Sequence, residues 1–189
     1  RRQRQMCIRD SLVEAPKIVP VEMSQTAEGV KFEGAHSGYV PPFGLTHARK
    51  LSLSLDGRSL VGEDLLIALN DTTGKAAETV LSEDIDPNVD FQIRFHLHPE
   101  VDAALDLGRT TVAIAAKSGE IWIFRHESSL FLTIEPGVYL EKNQPTPRAS
   151  RQIVLSGMVN DALTRAQWSL SKTQDTAMAI RDLRLEELR

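Results

Sequence analysis

The sequence predicts an all-β fold, an antiparallel, supersandwich-like β-sandwich with a short helical or disordered C-terminal tail. Two observations predict this class. Apolar residues alternate with polar ones, as at Leu51, Leu53 and Leu55, which is the spacing of a strand with one buried face. Turn signals such as Asp56-Gly57 then separate short runs at regular intervals. About ten short strands with almost no helix are typical of a sandwich.

The predicted strands are runs of alternating or β-rich residues, each ending at a turn signal. They lie at 17–23, 29–33, 51–55, 59–64, 91–97, 110–116, 120–125, 130–135, 138–141, 151–156 and 166–170. Pro136-Gly137 is predicted to separate two of these strands. Pro41-Pro42 is predicted to fix an extended bend rather than a helix.

Two segments depart from this strand pattern. Residues 70–88 are rich in Asp, Thr, Gly and Ala, which predicts a surface excursion with a strand near 77–81. Residues 172–189 form the tail, where apolar residues make an imperfect helical stripe among charged neighbours. One domain is therefore predicted over residues 12–171.

The first eleven residues, RRQRQMCIRDS, match the in-frame translation of a transposon adapter used in sequencing libraries. We interpret residues 1–11 as an artefact and exclude them from fold reasoning, as for a tag. The alternative is a basic arm for nucleic acid or a mitochondrial-type presequence. The natural chain is then expected to be truncated at its N-terminus, with any signal peptide upstream.

Excluding residues 1–11 changes the composition. The only cysteine, Cys7, lies there, so residues 12–189 offer no disulfide framework and no thiolate metal site. Removing four Arg and one Asp changes the formal net charge from −4 to −7. An acidic chain without a basic stripe argues against nucleic acid as a partner. No segment approaches the run of about 18 apolar residues that a membrane helix needs.

Three motifs follow one another between residues 33 and 64. They are HSGY at 36–39, FGLTHAR at 43–49 and DGRSLVGED at 56–64. In this order they resemble the C-terminal β-domain of bacterial heparinase II/III-like proteins, a polysaccharide lyase group. The resemblance covers residues 21–170, nearly the whole predicted domain.

The resemblance implies a two-part enzyme in which an α/α toroid precedes this β-sandwich. The implied reaction is β-elimination on a polysaccharide containing uronic acid, heparin- or heparan-like or another acidic glycan. Most catalytic residues would lie in the missing toroid, so the fragment alone is expected to be inactive. The implied compartment is the cell envelope or periplasm, although the fragment itself does not show it.

The candidate site residues come from the first two motifs. The resemblance implies that His36 either binds a structural zinc or faces the substrate; otherwise it is a loop His bonded to backbone groups. Tyr39 could protonate a leaving oxygen, although packing is the favoured interpretation. His47 could accept a proton, and Arg49 on the same strand face could bind an acidic sugar. A solvated strand edge explains that pair equally well. No role is assigned to Glu63-Asp64.

The other histidines are interpreted as non-catalytic. His96 and His98 have the His-x-His spacing of some metal sites, but alternation with Phe95 and Leu97 turns both away from the core. His126, at a strand end between charged residues, is predicted to lie on the surface.

Two alternatives to a lyase remain open, a carbohydrate-binding β-sandwich and a structural module without chemistry. Aromatic residues, which form sugar platforms, make up only 5% of the chain, and Trp122 lies in a strand predicted to be buried. Without the toroid, an apolar face should be uncovered. An exposed hydrophobic patch and self-association are therefore expected.

Overall fold

The computed structural model describes residues 19–68, 89–127, 129–142, 146–159 and 161–173. These residues form eleven strands and one short helix. The strands are β1 (Val21–Thr26), β2 (Gly29–His36), β3 (Leu45–Ser54), β4 (Ser59–Ala68), β5 (Asp90–His96), β6 (Asp102–Leu105), β7 (Thr111–Ala115), β8 (Ile121–His126), β9 (Phe131–Tyr139), β10 (Arg148–Met158) and β11 (Leu163–Lys172). The helix, α1, is Val40–Phe43.

The strands form two antiparallel sheets, which confirms the predicted fold class. The large sheet has eight strands in the order β1-β2-β3-β4-β11-β8-β7-β6, and the small sheet has three in the order β5-β10-β9. Within the described ranges, no helix is long and apolar enough to span a membrane. The predicted strand near 77–81, the tail beyond residue 173 and residues 1–11 lie outside the described residues.

The two sheets pack face to face over one main hydrophobic cluster. The small sheet contributes Ile153 and Leu155, and the large sheet contributes Val112, Phe124 and Trp168. All five are at most 6% exposed. Burial of such side chains on both inner faces is the main stabilising term of a sandwich. A second cluster, built around Leu45, Leu66, Ala68 and Val159, lies beside it and next to the candidate site.

Two proline-rich positions differ from their predictions. Pro41 and Pro42 lie in the first turn of α1, where backbone N–H groups need no partner within the helix, and Gly44 ends α1 with a positive φ of 67°. The predicted extended bend is therefore wrong. Strand β9 runs unbroken through Pro136, because among the described strands β9 lies at an edge of the small sheet and pairs on one side only.

The alternating leucines of β3 are less buried than predicted. Leu51 packs against the main cluster, but Leu53 and Leu55 are exposed. In the part of the chain that the structure describes, neither of these two leucines belongs to a hydrophobic cluster. The Asp56-Gly57 turn is confirmed, since Gly57 adopts a φ of 68° between β3 and β4.

Candidate functional site

A buried carboxylate, Asp64 of β4, is the centre of the site. It is only 3% exposed, and it is the one charged residue among the buried residues that the structure describes. Its Oδ1 accepts hydrogen bonds from His47 Nε2 at 2.8 Å and from Arg49 Nε at 2.7 Å. Its Oδ2 accepts one from Trp168 Nε1 at 2.9 Å. Both carboxylate oxygens are therefore satisfied, as a buried charge requires.

These hydrogen bonds control the ionisation of Asp64. Burial alone would raise the pKa of the carboxyl group, because it penalises the charged form. The hydrogen bonds from His47, Arg49 and Trp168, with the positive charge of Arg49, outweigh that effect and lower the pKa below its ordinary value. Asp64 is therefore a carboxylate at neutral pH, and it attracts positive charge to this part of the sheet.

Strand register brings these side chains together. The β3–β4 hairpin pairs Arg49 with Asp64, and His47 lies two residues before Arg49 on the same face of β3. On the other side of β3, His36 of β2 pairs directly with His47. The first and second motifs therefore converge on the acidic end of the third motif through sheet pairing.

Trp168 reaches Asp64 across a glycine. Trp168 of β11 pairs with Gly62 of β4, and a Cβ atom at Gly62 would lie 2.1 Å from Cζ2 of the indole. Because Gly62 has no side chain, the indole can lie over the β4 backbone and donate its N–H to the carboxylate of Asp64, two residues from Gly62. This contact gives the glycine and the aspartate of the third motif a common structural role.

His36, His47 and Asp64, together called the His–Asp cluster, form one directional chain of hydrogen bonds. The backbone N–H of Gly38 donates to His36 Nδ1 at 3.2 Å, so Nδ1 is an acceptor. His36 Nε2 then carries the hydrogen and donates to His47 Nδ1 at 3.2 Å. His47 Nε2–H donates to Asp64. This hydrogen-bond pattern assigns both neutral imidazoles to the Nε2–H tautomer.

The protonation of His36 is disfavoured at this position. Partial burial lowers the pKa of its imidazole below the ordinary value, and the neighbouring His47 lowers it further. His36 is therefore neutral at pH 7. His36 is thus an uncharged imidazole, and Asp64, on the far side of His47, stays ionised.

Tyr39 covers the outer side of the two imidazoles. Its ring centroid lies 5.2 Å from that of His36 and 6.3 Å from that of His47. The side chain remains 44% exposed, just before α1. Tyr39 therefore packs on the His–Asp cluster and is also accessible from solvent, so both of its predicted roles stay open.

A cavity of about 220 Å³ lies between the two sheets, next to the His–Asp cluster. We call it the inter-sheet cavity. Its lining combines aromatic and aliphatic side chains with polar groups from β3, β4 and β5. His47, Arg49 and Asp64 line the large-sheet side, and Phe91 and Arg94 line the small-sheet side. Of the predicted site residues, Tyr39, His47 and Arg49 therefore share one cavity, whereas His36 lies behind His47.

The described residues do not by themselves make a zinc site. They contain no group of three or more His, Cys, Asp or Glu that could hold a metal ion. His36 Nε2 and His47 Nδ1 offer two nitrogens 3.2 Å apart, but structural zinc takes four ligands. Zinc on His36 Nε2 would also require a hydrogen on Nδ1, which faces the Gly38 N–H. Zinc at His36 stays a prediction.

The remaining histidines lie away from this cavity. His98 Nδ1 accepts the Glu100 backbone N–H, and its ring packs on Tyr139. His126 differs from its predicted surface position, because both ring nitrogens are buried and have no partner among the described residues. Its pairing with Trp168 turns it toward the inner face of the large sheet.

The sequence did not assign Asp64, Gly62 or Trp168 to the site. The only available signal was the third motif, which ends in Gly62-Glu63-Asp64. Trp168 is separated from Asp64 by 104 residues, and no local pattern indicates that they meet.

The sequence matches the family described as "Heparinase II/III-like, C-terminal" over residues 8–174. It is 29% identical over 164 residues to the FtsZ-localized protein C of Caulobacter vibrioides, covering 86% of this chain and 27% of that protein.

The fold is similar to that of two solved lyases. Against the heparan sulfate lyase HepC of Pedobacter heparinus, the TM-score is 0.61 at 10% identity, over 82% of this chain and 22% of that one. Against a heparinase III it is 0.61 at 12% identity, over 85% and 22%. At these identities the likeness shows the fold alone. The chain spans about a quarter of the length of the relatives it matches.

Proposed function

The chain belongs to the heparinase II/III-like C-terminal family, and we propose that it is the β-sandwich part of a polysaccharide lyase completed by an N-terminal α/α toroid. The proposed substrate is a polysaccharide that contains uronic acid, and the proposed reaction is β-elimination. The observation that carries the proposal is the His–Asp cluster, in which a buried carboxylate orients two hydrogen-bonded imidazoles beside the inter-sheet cavity.

β-Elimination makes three chemical demands. A base removes the proton from C5 of the uronate, the bond from C4 to the glycosidic oxygen breaks, and an acid protonates that oxygen. Negative charge develops on the C5 carboxylate, so fixed positive charge and hydrogen-bond donors lower the barrier. The product is a chain with an unsaturated uronate at its new end.

His36 is the end of the His–Asp cluster that can accept a proton. Its Nδ1 lone pair is bonded only to the Gly38 N–H, whereas His47 Nδ1 is occupied by His36. Proton uptake at His36 Nδ1 breaks only the hydrogen bond that the Gly38 N–H donates to it. The protonated ring keeps its Nε2–H bond to His47, which the hydrogen bond to Asp64 holds in place. A neutral imidazole backed by a carboxylate is an arrangement suited to general base catalysis.

Arg49 and Tyr39 are assigned supporting roles in the proposal. Arg49 uses Nε for Asp64, which leaves its two terminal nitrogens for an acidic sugar. Tyr39 is 44% exposed and is proposed to protonate a leaving oxygen, as phenols do in general acid catalysis. The main catalytic residues are assigned to the toroid, so the chain alone is proposed to be inactive. A structural zinc held through His36 belongs to the proposal only if further ligands come from outside the described residues.

The test is an assay of the longer protein, toroid included, on uronate polymers, followed by the ultraviolet absorbance of the unsaturated product. We expect activity in the parent protein and a loss of at least about tenfold in kcat/KM in His36→Ala and His47→Ala. His96→Ala, which alters an exposed imidazole outside the site, is the matched control. Absence of unsaturated product from every uronate polymer, with a folded protein, would contradict the proposal.

A second candidate function is a non-catalytic module at the bacterial division site. The observation that favours it is the 29% identity to an FtsZ-localized protein. Fluorescence microscopy of the longer protein in dividing cells discriminates the two candidates. Localisation with FtsZ that persists in His36→Ala and His47→Ala, together with no uronate cleavage, would favour the module.

A further inference from the structure

Among the described residues, strand β5 pairs on one side only, with β10, and the hydrogen-bond pattern identifies the groups on its other, free edge. The N–H of Leu97 donates to the carbonyl of Arg151 at 3.0 Å, and the N–H of Val159 donates to the carbonyl of Val89 at 2.9 Å. In the β5–β10 register these contacts place the odd-numbered residues of β5 in hydrogen-bonded pairs. The even-numbered residues therefore direct their N–H and carbonyl groups away from β10. These residues are Asp90, Gln92, Arg94 and His96.

The inter-sheet cavity runs along this free edge. Five consecutive residues of β5, from Asp90 to Arg94, line it. Successive side chains of a strand point to opposite faces of the sheet. Consecutive residues therefore line the same cavity only when the cavity runs along the edge of the strand. Among the described residues β5 is one of the two edge strands of the small sheet, so no neighbouring strand of that sheet satisfies these groups. The cavity thus presents alternating N–H donors and carbonyl acceptors.

Arg49 supplies the cation on the opposite side of the inter-sheet cavity. Its Nε is bonded to Asp64, and its terminal nitrogens make no hydrogen bond to described residues. Two parallel N–H groups on a guanidinium match the two oxygens of a carboxylate. Asp64 does not oppose such a ligand strongly, because His47, Arg49 and Trp168 already donate to its oxygens.

The remaining charges restrict where an anion can sit. The Arg94 guanidinium donates hydrogen bonds to Glu135 and Gln92, so it is less available to bind an anion than the Arg49 guanidinium is. Asp90 also lines the cavity, and its carboxylate repels an anion but accepts hydrogen bonds from hydroxyl groups. A ligand with one carboxylate and several hydroxyls fits this arrangement when its carboxylate points to Arg49 and its hydroxyls point to β5. The volume of about 220 Å³ lies below that of a drug-sized pocket, so it suits one sugar ring rather than several.

We propose that the inter-sheet cavity is a subsite for a single uronate ring. Its carboxylate binds the Arg49 guanidinium, and its hydroxyls bind the free backbone edge of β5 at Asp90, Gln92 and Arg94. The inference rests on the proposed function for its choice of acidic sugar. The inference adds to the proposed function the subsite itself, its size and the part played by the β5 backbone. The subsite requires no toroid, because every group that forms it lies in this chain.

The free edge can be tested with a matched pair of variants at Gln92. Gln92→Pro removes one outward N–H and leaves the β5–β10 ladder intact, because proline is tolerated at the free edge of an edge strand. Gln92→Ala removes the same side chain and retains the N–H. Arg49→Lys is a third variant, which keeps the charge and loses the bidentate geometry. If Gln92→Pro does not fold, glucuronate binding by Arg49→Lys decides whether the proposed subsite exists.

The measurement is a titration of the isotope-labelled chain with glucuronate, and separately with glucose as the neutral analogue, followed by amide NMR. We expect glucuronate to shift the amide signals of Asp90, Gln92 and Arg94 with a Kd on the order of 1 mM. We expect glucose to bind at least about tenfold more weakly. Gln92→Pro and Arg49→Lys should each weaken glucuronate binding about tenfold, and Gln92→Ala should stay within about twofold.

Four results would overturn the subsite: no binding of either sugar, equal binding of both, shifts confined to other strands, or an unaffected Gln92→Pro. Pairing of an extended peptide with β5, without sugar binding, would overturn it in favour of strand addition. Failure of the subsite and of the proposed function are distinguishable. Polymer cleavage by the longer protein without sugar binding here overturns the subsite alone, and sugar binding without any cleavage overturns the lyase assignment alone.

Discussion

The indole N–H of Trp168 donates a hydrogen bond to Oδ2 of Asp64 at 2.9 Å, although 104 residues separate the two in sequence. This contact links β11, a central strand of the large sheet, to the third motif, which ends at Asp64 within β4. It satisfies the carboxylate oxygen that the two β3 side chains do not reach. The orientation of Asp64, and through it the tautomer of His47, therefore depends on the pairing of β11 with β4.

Trp168→Phe should destabilise the domain while preserving most of its packing. The variant removes the N–H and leaves a carboxylate oxygen buried without a donor, which costs about 1–3 kcal/mol. Chemical denaturation measures the free energy of unfolding. Trp122→Phe is the matched control, because its indole lies in a half-buried strand and does not contact Asp64. Equal decreases in the free energy of unfolding of the two variants would show that the hydrogen bond from Trp168 to Asp64 adds no stability.

Gly62→Ala should disturb the same contact through sterics. The new Cβ atom would lie 2.1 Å from the indole of Trp168, so the ring or β4 must move. Overpacking of this kind costs about 1–3 kcal/mol in free energy of unfolding. Gly108→Ala, where the nearest atom is 3.4 Å away, should change stability by less than about 0.5 kcal/mol. A stable Gly62→Ala protein with an unchanged Trp168 environment would refute the role of this glycine.

The pH dependence of stability follows from the lowered pKa of His36. The folded state binds a proton at His36 less readily than the unfolded state, so its contribution to stability is present above the unfolded pKa of about 6.5. That contribution is lost as the pH falls through the lower folded pKa. We expect the free energy of unfolding to decrease on acidification below about pH 6.5. His36→Gln should remove this step, and an identical pH profile in that variant would contradict the assignment.

Asp64 adds a second, more acidic step. Its pKa is lower in the folded state, so its contribution is complete above the unfolded value of about 3.9 and is lost at still lower pH. Asp64→Asn should therefore flatten the profile at the acidic end. Because the two steps occupy different pH ranges, the His36 and Asp64 variants can be distinguished in one series of denaturation curves.

The isolated chain should self-associate through its first hairpin. Every residue of β1 is exposed, and Val19, Val21 and Met23 are exposed apolar residues on or beside this edge strand. An unprotected apolar edge favours pairing between copies. Light scattering should show concentration-dependent association, reduced in Met23→Lys but not in Leu107→Lys, which alters an exposed apolar residue away from β1. A chain that stays monomeric at every concentration would contradict the expectation.

Local patterns predicted the strands well where side-chain alternation and turn chemistry agreed. The Asp56-Gly57 turn fixed the β3–β4 register, and this register brings His47 and Arg49 to Asp64. Prolines were less informative, because their effect depends on tertiary position. Pro136 is tolerated only because β9 lies at an edge, and Pro41 and Pro42 lie where a helix needs no N–H donors.

The candidate site was only partly predictable for a related reason. Resemblance identified His36, Tyr39, His47 and Arg49, which lie close together in sequence. The role of Asp64 depends on Trp168, and the free edge of β5 depends on the order of strands in the small sheet. Both are long-range properties of the sheet arrangement, which local periodicity does not encode.

The most direct test of the His–Asp cluster is the tautomeric state of its two histidines, measured by nitrogen NMR of the isotope-labelled chain near neutral pH. We predict that His36 and His47 both carry hydrogen on Nε2 and a lone pair on Nδ1, and that Asp64→Asn perturbs His47 most. A histidine pair with hydrogen on Nδ1 of His47, or one unaffected by Asp64→Asn, would contradict the cluster as the organising feature of the site.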